Sequence, residues 1–236
     1  MKLGSILLSC EHAVNRVPPR YAWLFSQPTA RGELETHLGY DIGALTAAKT
    51  IASTLGIELH TGTITRLLVD LNRSRPQALN SKYCQQLEET ELVELADRYH
   101  QSHWKHVFDS IEQHDSPVCH IGVHSFTPVY EGEARNADIG LLYDPSRPNE
   151  QAFCATWEAT LRRQDPSLRL RHNYPYLGTS DGMTTSLRKK LNANHYLGIE
   201  LELNQSIFLN EKAQYQSVIN SVAISLAQAF QRHQRH

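Results

Sequence analysis

The sequence predicts an α/β fold, with a mixed, largely parallel sheet between two layers of helices. Short apolar runs alternate with longer stretches of helical period along the whole chain. Those stretches are long enough to act as crossovers between parallel strands, which need both faces of their sheet covered. The 236 residues contain no repeat, low-complexity linker or shift in composition. Residues 1–236 are therefore expected to form a single domain.

Each element follows from its own pattern. Residues 5–9 (Ser-Ile-Leu-Leu-Ser) are a brief apolar run suited to a buried strand. Residues 41–55 place Ile42, Leu45, Ala48, Ile51, Ala52 and Leu55 three or four apart, as an amphipathic helix does, with Gly56 to end it. Residues 57–63 and 67–70 read as strands. Residues 88–115 contain neither Gly nor Pro and read as one long helix. Residues 118–123 and 138–143 are strand-like, and 149–163 are helical with Phe153, Trp157 and Leu161 on one face. A strand over 168–172, a helix over 182–191, a strand over 196–203 and a final helix over 211–232 complete the order. Residues 73–81 and 143–150 are polar turns.

Composition excludes several function classes. A 40% hydrophobic share and 20% charged residues suit a real core and not a disordered polyelectrolyte. With 23 basic against 25 acidic residues, the chain lacks the basic surplus of a nucleic-acid binder. No run approaches the ~18 apolar residues of a membrane span. The opening apolar run meets Cys10-Glu11-His12 at once, so it reads as a core strand and not as a secretory signal, and a cytoplasmic location is expected. Cys10, Cys84, Cys119 and Cys154 form no C-x-x-C pair and are expected to be buried, reduced thiols. No G-x-S-x-G elbow, phosphate-cradling loop or dinucleotide fingerprint occurs.

The chemistry-bearing residues gather after expected strands. Strand one runs into Cys10-Glu11-His12, the 67–70 run into Asp70-Leu71-Asn72-Arg73, the 118–123 run into His124-Ser125, and the last strand carries Glu200, Glu202 and Asn204 two apart. In a parallel sheet such ends share one edge, where sites form. His12 and His124 with a carboxylate make the three-ligand set of a catalytic zinc ion, and Glu202 is the candidate general base for a metal-activated water. For a single histidine, ordinary packing is the more common role; for Glu200 and Glu202, the polar face of an edge strand is the bland alternative. Arg66 and Arg73 suit a substrate carboxylate, with an ion pair to neighbouring Asp70 an equal alternative. His103, His106 and His114 lie in the helical stretch without an H-E-x-x-H pattern. His120 shares a face with His124 and is a reserve candidate.

In order along the chain, Ser-Cys-Glu-His-Ala from Ser9, His37-Leu38-Gly39-Tyr40-Asp41-Ile42-Gly43-Ala44, Val69-Asp70-Leu71-Asn72-Arg73, His124-Ser125-Phe126-Thr127-Pro128, Asp181-Gly182 and Ile199-Glu200-Leu201-Glu202-Leu203-Asn204 resemble the N-formylglutamate amidohydrolase family. The Cys-Glu-His-Ala opening is most similar to its branch of predicted activity. The resemblance implies a fold like that of zinc carboxypeptidases and aspartoacylase, one Zn2+, and hydrolysis of an N-acyl amino acid, the type reaction giving formate and L-glutamate from N-formyl-L-glutamate. It implies His12, His124 and Asp41 as metal ligands and Glu202 as base. Arg66 is the companion for a developing oxyanion, and Arg73, Asn72 and Ser125 are the expected substrate contacts. Carboxypeptidases place the acidic ligand three residues after the first histidine, where this chain has Asn15. The third ligand thus lies between Asp41 and Glu11. Glu11 neighbours His12 and points away from it in an extended strand, which favours Asp41. A carboxypeptidase or deacylase of the same lineage, and a carboxylate-binding protein without turnover, are the competing readings.

Overall fold

The structure, a computed structural model, describes residues 6–233; Ser5 of the expected first strand lies outside them. In chain order the elements are β1 (Ile6–Cys10), α1 (Pro28–Leu34), α2 (Ala44–Leu55), β2 (Glu58–Thr61), α3 (Glu89–Leu95), α4 (Ser102–Glu112), β3 (Val118–Phe126), β4 (Val129–Tyr130), β5 (Glu133–Ala134), β6 (Ile139–Leu142), α5 (Pro148–Gln164), β7 (Leu170–His172), α6 (Met183–Lys190), β8 (Tyr196–Asn204) and α7 (Lys212–His233). The main sheet among them runs β2-β1-β3-β8-β6-β7. Only the β6–β8 contact in it is antiparallel, so the mixed, largely parallel sheet is as expected.

The two faces of the sheet are covered by different helices. Leu8, Ile121, Val123, Ile199 and Leu201 pack with Ala48 and Ile51 of α2, Trp157 of α5 and Val222 and Leu226 of α7 in one fully buried cluster. Leu7, Val118 and Tyr196, of opposite parity on their strands, pack with Val107 and Ile111 of α4 and Met183 and Leu187 of α6. Three layers result. The helix expected over 41–55 begins only at Ala44. Gly43, at φ +85°, turns the chain into it, and a Cβ at that position would strike the Phe208 ring.

Two expectations fail, each for a packing reason. Residues 67–70 are not a strand. Leu67, Leu68, Val69 and Leu71 are buried in a separate cluster with Tyr21, Leu24, Phe25, Cys84, Leu87 and Leu95, so an irregular segment buries the apolar run by itself. The helix expected over 88–115 is continuous but contains a π-helical stretch, Ala96–Gln101, between α3 and α4. Before that stretch Leu95 faces the separate cluster, and after it Val107 and Ile111 face the sheet. The small β4–β5 hairpin and the short helix α1 had no periodic signal. β8 lies between β3 and β6 in the middle of the sheet, which removes the edge-strand reading of Glu200 and Glu202.

Candidate metal centre

β1, β3 and β8 run parallel and end side by side, with His124 of β3 opposite Glu202 of β8 in register. His120, Gly122, His124 and Glu200, Glu202 alternate with apolar residues and so point to the face that α4 and α6 cover. His12 follows β1 after a turn, with its backbone carbonyl accepting from the Asp41 N–H at 2.9 Å. Asp41 sits three residues ahead of α2 and does not cap it. Ser125 reinforces this arrangement. Its hydroxyl donates to the Ile42 carbonyl at 2.7 Å and accepts from Gln205 Nε2 at 3.2 Å.

Three ligand atoms from His12, Asp41 and His124 lie within 4.8 Å of one another, all from buried side chains. His12 Nδ1 is 3.3 Å and His124 Nδ1 2.9 Å from Asp41 Oδ2. The far nitrogens meet carboxylates as well: His12 Nε2 lies 2.7 Å from Asp70 Oδ1, and His124 Nε2 3.2 Å from Glu11 Oε2. A neutral imidazole has one N–H and can satisfy a carboxylate on one side only. With Nε2–H given to Asp70 and Glu11, the two Nδ1 lone pairs face Asp41 and call for a cation between them. The donor set of two imidazoles and one carboxylate, backed by outer carboxylates, fits a divalent metal such as zinc. Glu11, the rival third ligand, instead sits behind His124.

Electrostatics show the same demand for positive charge at this point: without a metal, a second proton on His124 meets it. Burial would discharge the His124 imidazole, but hydrogen bonds to Asp41 and Glu11 push its pKa well above the ordinary value. Burial likewise opposes the Asp41 and Asp70 charges; the neighbouring histidines, and Arg66 beside Asp70, hold both carboxyls far below their usual range. Glu202 is the opposite case. Burial lifts it to about 8, against the pull of His124, and its Oε2 is buried with no hydrogen-bond partner. A buried, unpaired carboxylate oxygen is costly in a finished core and useful in a site. His120, the reserve candidate, lies outside the group: Ser9 Oγ and Tyr196 OH are 2.7 and 2.8 Å from its two nitrogens, and burial lowers it to about 4.

The ligand trio and Glu202 open on a cavity of about 220 Å³, also lined by Arg66, Asn72, Arg73, Ser125 and Glu200. All eight expected site residues therefore line one cavity. Arg66 bonds Asp41 Oδ1 at 3.3 Å and Asp70 Oδ2 at 2.9 Å, so its ion pair with Asp70 exists alongside its place on the wall. Arg73 donates to the Asp181 carbonyl at 2.7 Å and the Asn72 carbonyl at 3.3 Å. Asn72 Oδ1 accepts from the Met183 N–H at the start of α6, at 2.7 Å. A Cβ on Gly182 would lie 3.0 Å from that oxygen, which accounts for the glycine after Asp181. Sequence reasoning missed Asp70 as a partner of His12. The signal was there: a carboxylate within Leu67-Leu68-Val69-Asp70-Leu71 needs a buried partner. It also missed Tyr176 and Ser180 on the cavity wall, which no periodicity marks.

The N-formylglutamate amidohydrolase profile matches residues 4–209. The chain belongs to that family. It is thus an amidohydrolase. Among solved structures, a gene product of Agrobacterium tumefaciens aligns with TM-score 0.81 at 26% identity over 98% of this chain and 92% of its own. An N-formylglutamate amidohydrolase from Ralstonia eutropha aligns with TM-score 0.73 at 15% identity, over 98% of this chain and 94% of its own, and shares its fold. No curated protein matches in sequence. Among the described residues, no helix is long and apolar enough to cross a membrane.

Proposed function

We propose that the chain is a zinc-dependent hydrolase of small N-acyl amino acids, with N-formyl-L-glutamate as the model substrate and formate and L-glutamate as products. One observation carries the reading. Two histidines, each backed by a carboxylate, turn their Nδ1 atoms on Asp41 beside a Glu202 oxygen that has no partner. His12, Asp41 and His124 would hold the ion. When bound, a divalent metal supplies Lewis acidity that polarises an acyl carbonyl and makes water easier to deprotonate.

The protein's own residues do the rest. Arg73 binds a substrate carboxylate with its planar fork of donors, and Asn72 and Ser125 shape the wall around it. Arg66, fixed by Asp41 and Asp70, presents positive charge where the acyl oxygen becomes negative. Glu202 Oε2 takes a proton from the attacking water as its oxygen bonds the acyl carbon. The same carboxyl returns that proton to the amide nitrogen as the C–N bond breaks, leaving formate and a free amine. The cavity's size suits a single small molecule, and the chain acts where cytoplasmic metabolites are its substrates.

Side-by-side assays of N-formyl, N-acetyl and N-succinyl amino acids test the reading. Formate release from N-formyl-L-glutamate, lost with a chelator and restored by zinc, is the expected outcome. Turnover confined to longer acyl groups or peptides points to a deacylase or carboxypeptidase of the same lineage. Zinc-independent binding without turnover of any member would overturn the reading.

A further inference from the structure

Both metal histidines are backed by carboxylates, and both carboxylates lead to the same helical turn. Glu11 is fully buried and divides its two oxygens, with Oε2 at 3.2 Å from His124 Nε2 and Oε1 at 3.5 Å from His103 Nε2. Asp70, the partner of His12, lies in the irregular segment before Arg73. That segment is pinned by Trp104, whose indole N–H donates to the Leu71 carbonyl at 2.6 Å, and by His100, whose Nε2 donates to the Arg73 carbonyl at 2.7 Å. The His100 and Trp104 rings stack at 4.7 Å. His100, His103 and Trp104 stand at i, i+3 and i+4, so one face of one helix makes all three contacts.

This face exists because of the π-helical stretch Ala96–Gln101. One inserted residue turns everything beyond it by about 100° relative to a regular helix. The apolar residues before and after the stretch serve different clusters, and the turn between them is what meets the site.

Resting on the metal reading above, we propose that the turn bearing His100, His103 and Trp104 is a positioning element for the metal ligands. His103, by hydrogen-bonding Glu11, holds that carboxylate against His124 Nε2. The bond keeps the proton on Nε2 and leaves the Nδ1 lone pair aimed at the ion. His100 and Trp104 act on the other ligand, holding the 71–73 backbone so that Asp70 does the same for His12. His100 and His103 thus serve the centre without touching it.

The test uses the full chain, loaded with zinc or cobalt(II). His103→Leu removes the donor to Glu11, and Trp104→Phe removes the indole N–H while keeping a ring. Loss of an outer partner weakens metal binding by roughly 10–100-fold, so each variant should lose about tenfold in zinc affinity by chelator competition. Its cobalt absorption spectrum should change, and its metal-free melting temperature gives the structural baseline. His103→Gln, whose amide can still donate to Glu11, should restore affinity and spectrum; His103→Asn, which is too short, should not. If His103→Leu does not fold, the Gln and Asn pair decides. Wild-type affinity and spectrum in His103→Asn and Trp104→Phe would overturn the proposal while leaving the metal reading standing. A wild-type chain that takes up no zinc would overturn both.

Discussion

Glu202→Gln separates catalysis from stability in a single substitution. In the metal-free protein, burial holds the Glu202 pKa at about 8, against an ordinary value of about 4.3. The unfolded chain therefore releases this proton near pH 4, and the folded chain keeps it until pH 8. Between those limits the folded state binds more protons, so stability falls as pH rises. At pH 7 the penalty is roughly 4 kcal/mol, from about 1.4 kcal/mol for each pH unit between the ordinary pKa and 7. An amide has no such penalty. Metal-free Glu202→Gln should be more stable than wild type by a few kcal/mol at pH 7 and nearly equal to it at pH 4, read by urea denaturation. Taking the difference between the two proteins isolates Glu202. With zinc bound, the same variant should keep its metal and lose about 10²–10⁴-fold in turnover, because an amide cannot accept the water's proton. Loss of zinc from this variant would make Glu202 a ligand, and a stability difference independent of pH would refute the burial argument.

Other substitutions probe the remaining parts. Asp41→Asn should lower zinc affinity far more than Glu11→Gln, since Asp41 Oδ2 faces both Nδ1 atoms and Glu11 stands behind His124; chelator competition gives the order, and the reverse order assigns the ligand to Glu11. His12→Ala and His124→Ala should each abolish stoichiometric zinc in a folded protein, with full zinc by elemental analysis as the opposing result. Glu150→Ala should cost about 3–5 kcal/mol in urea unfolding. It strips buried Arg188 of a partner held at 3.0 Å and frees the Gly198 and Asp144 N–H groups that Glu150 accepts; a loss below about 1 kcal/mol would contradict that role.

The legible parts of the sequence were those where local pattern and tertiary role agree. The alternation of Glu200, Glu202 and Asn204 with apolar residues marked a strand with one polar face, and the polar residues after residues 5–9 and 118–123 marked strand ends. Those signals placed His12, His124 and Glu202 together. Asp41 entered through the family resemblance, and adjacency then weakened Glu11 as its rival. Asp70 was hidden by its neighbour Arg66, since an i,i+4 ion pair explains both residues without the contact to His12 across 58 positions. The 67–71 run looked like a strand because apolar content does not say which cluster will receive it. The π-helical stretch was illegible for a different reason: no residue type in Ala96–Gln101 demands it, and only the two clusters on either side do.

A crystal structure of the zinc-loaded protein, with anomalous scattering measured at the zinc edge, tests the ligand set directly. One ion is expected about 2.0–2.2 Å from His12 Nδ1, His124 Nδ1 and an Asp41 oxygen, with Glu11 and Asp70 on the far nitrogens. An ion bound through either Nε2, or through Glu11 in place of Asp41, would contradict it.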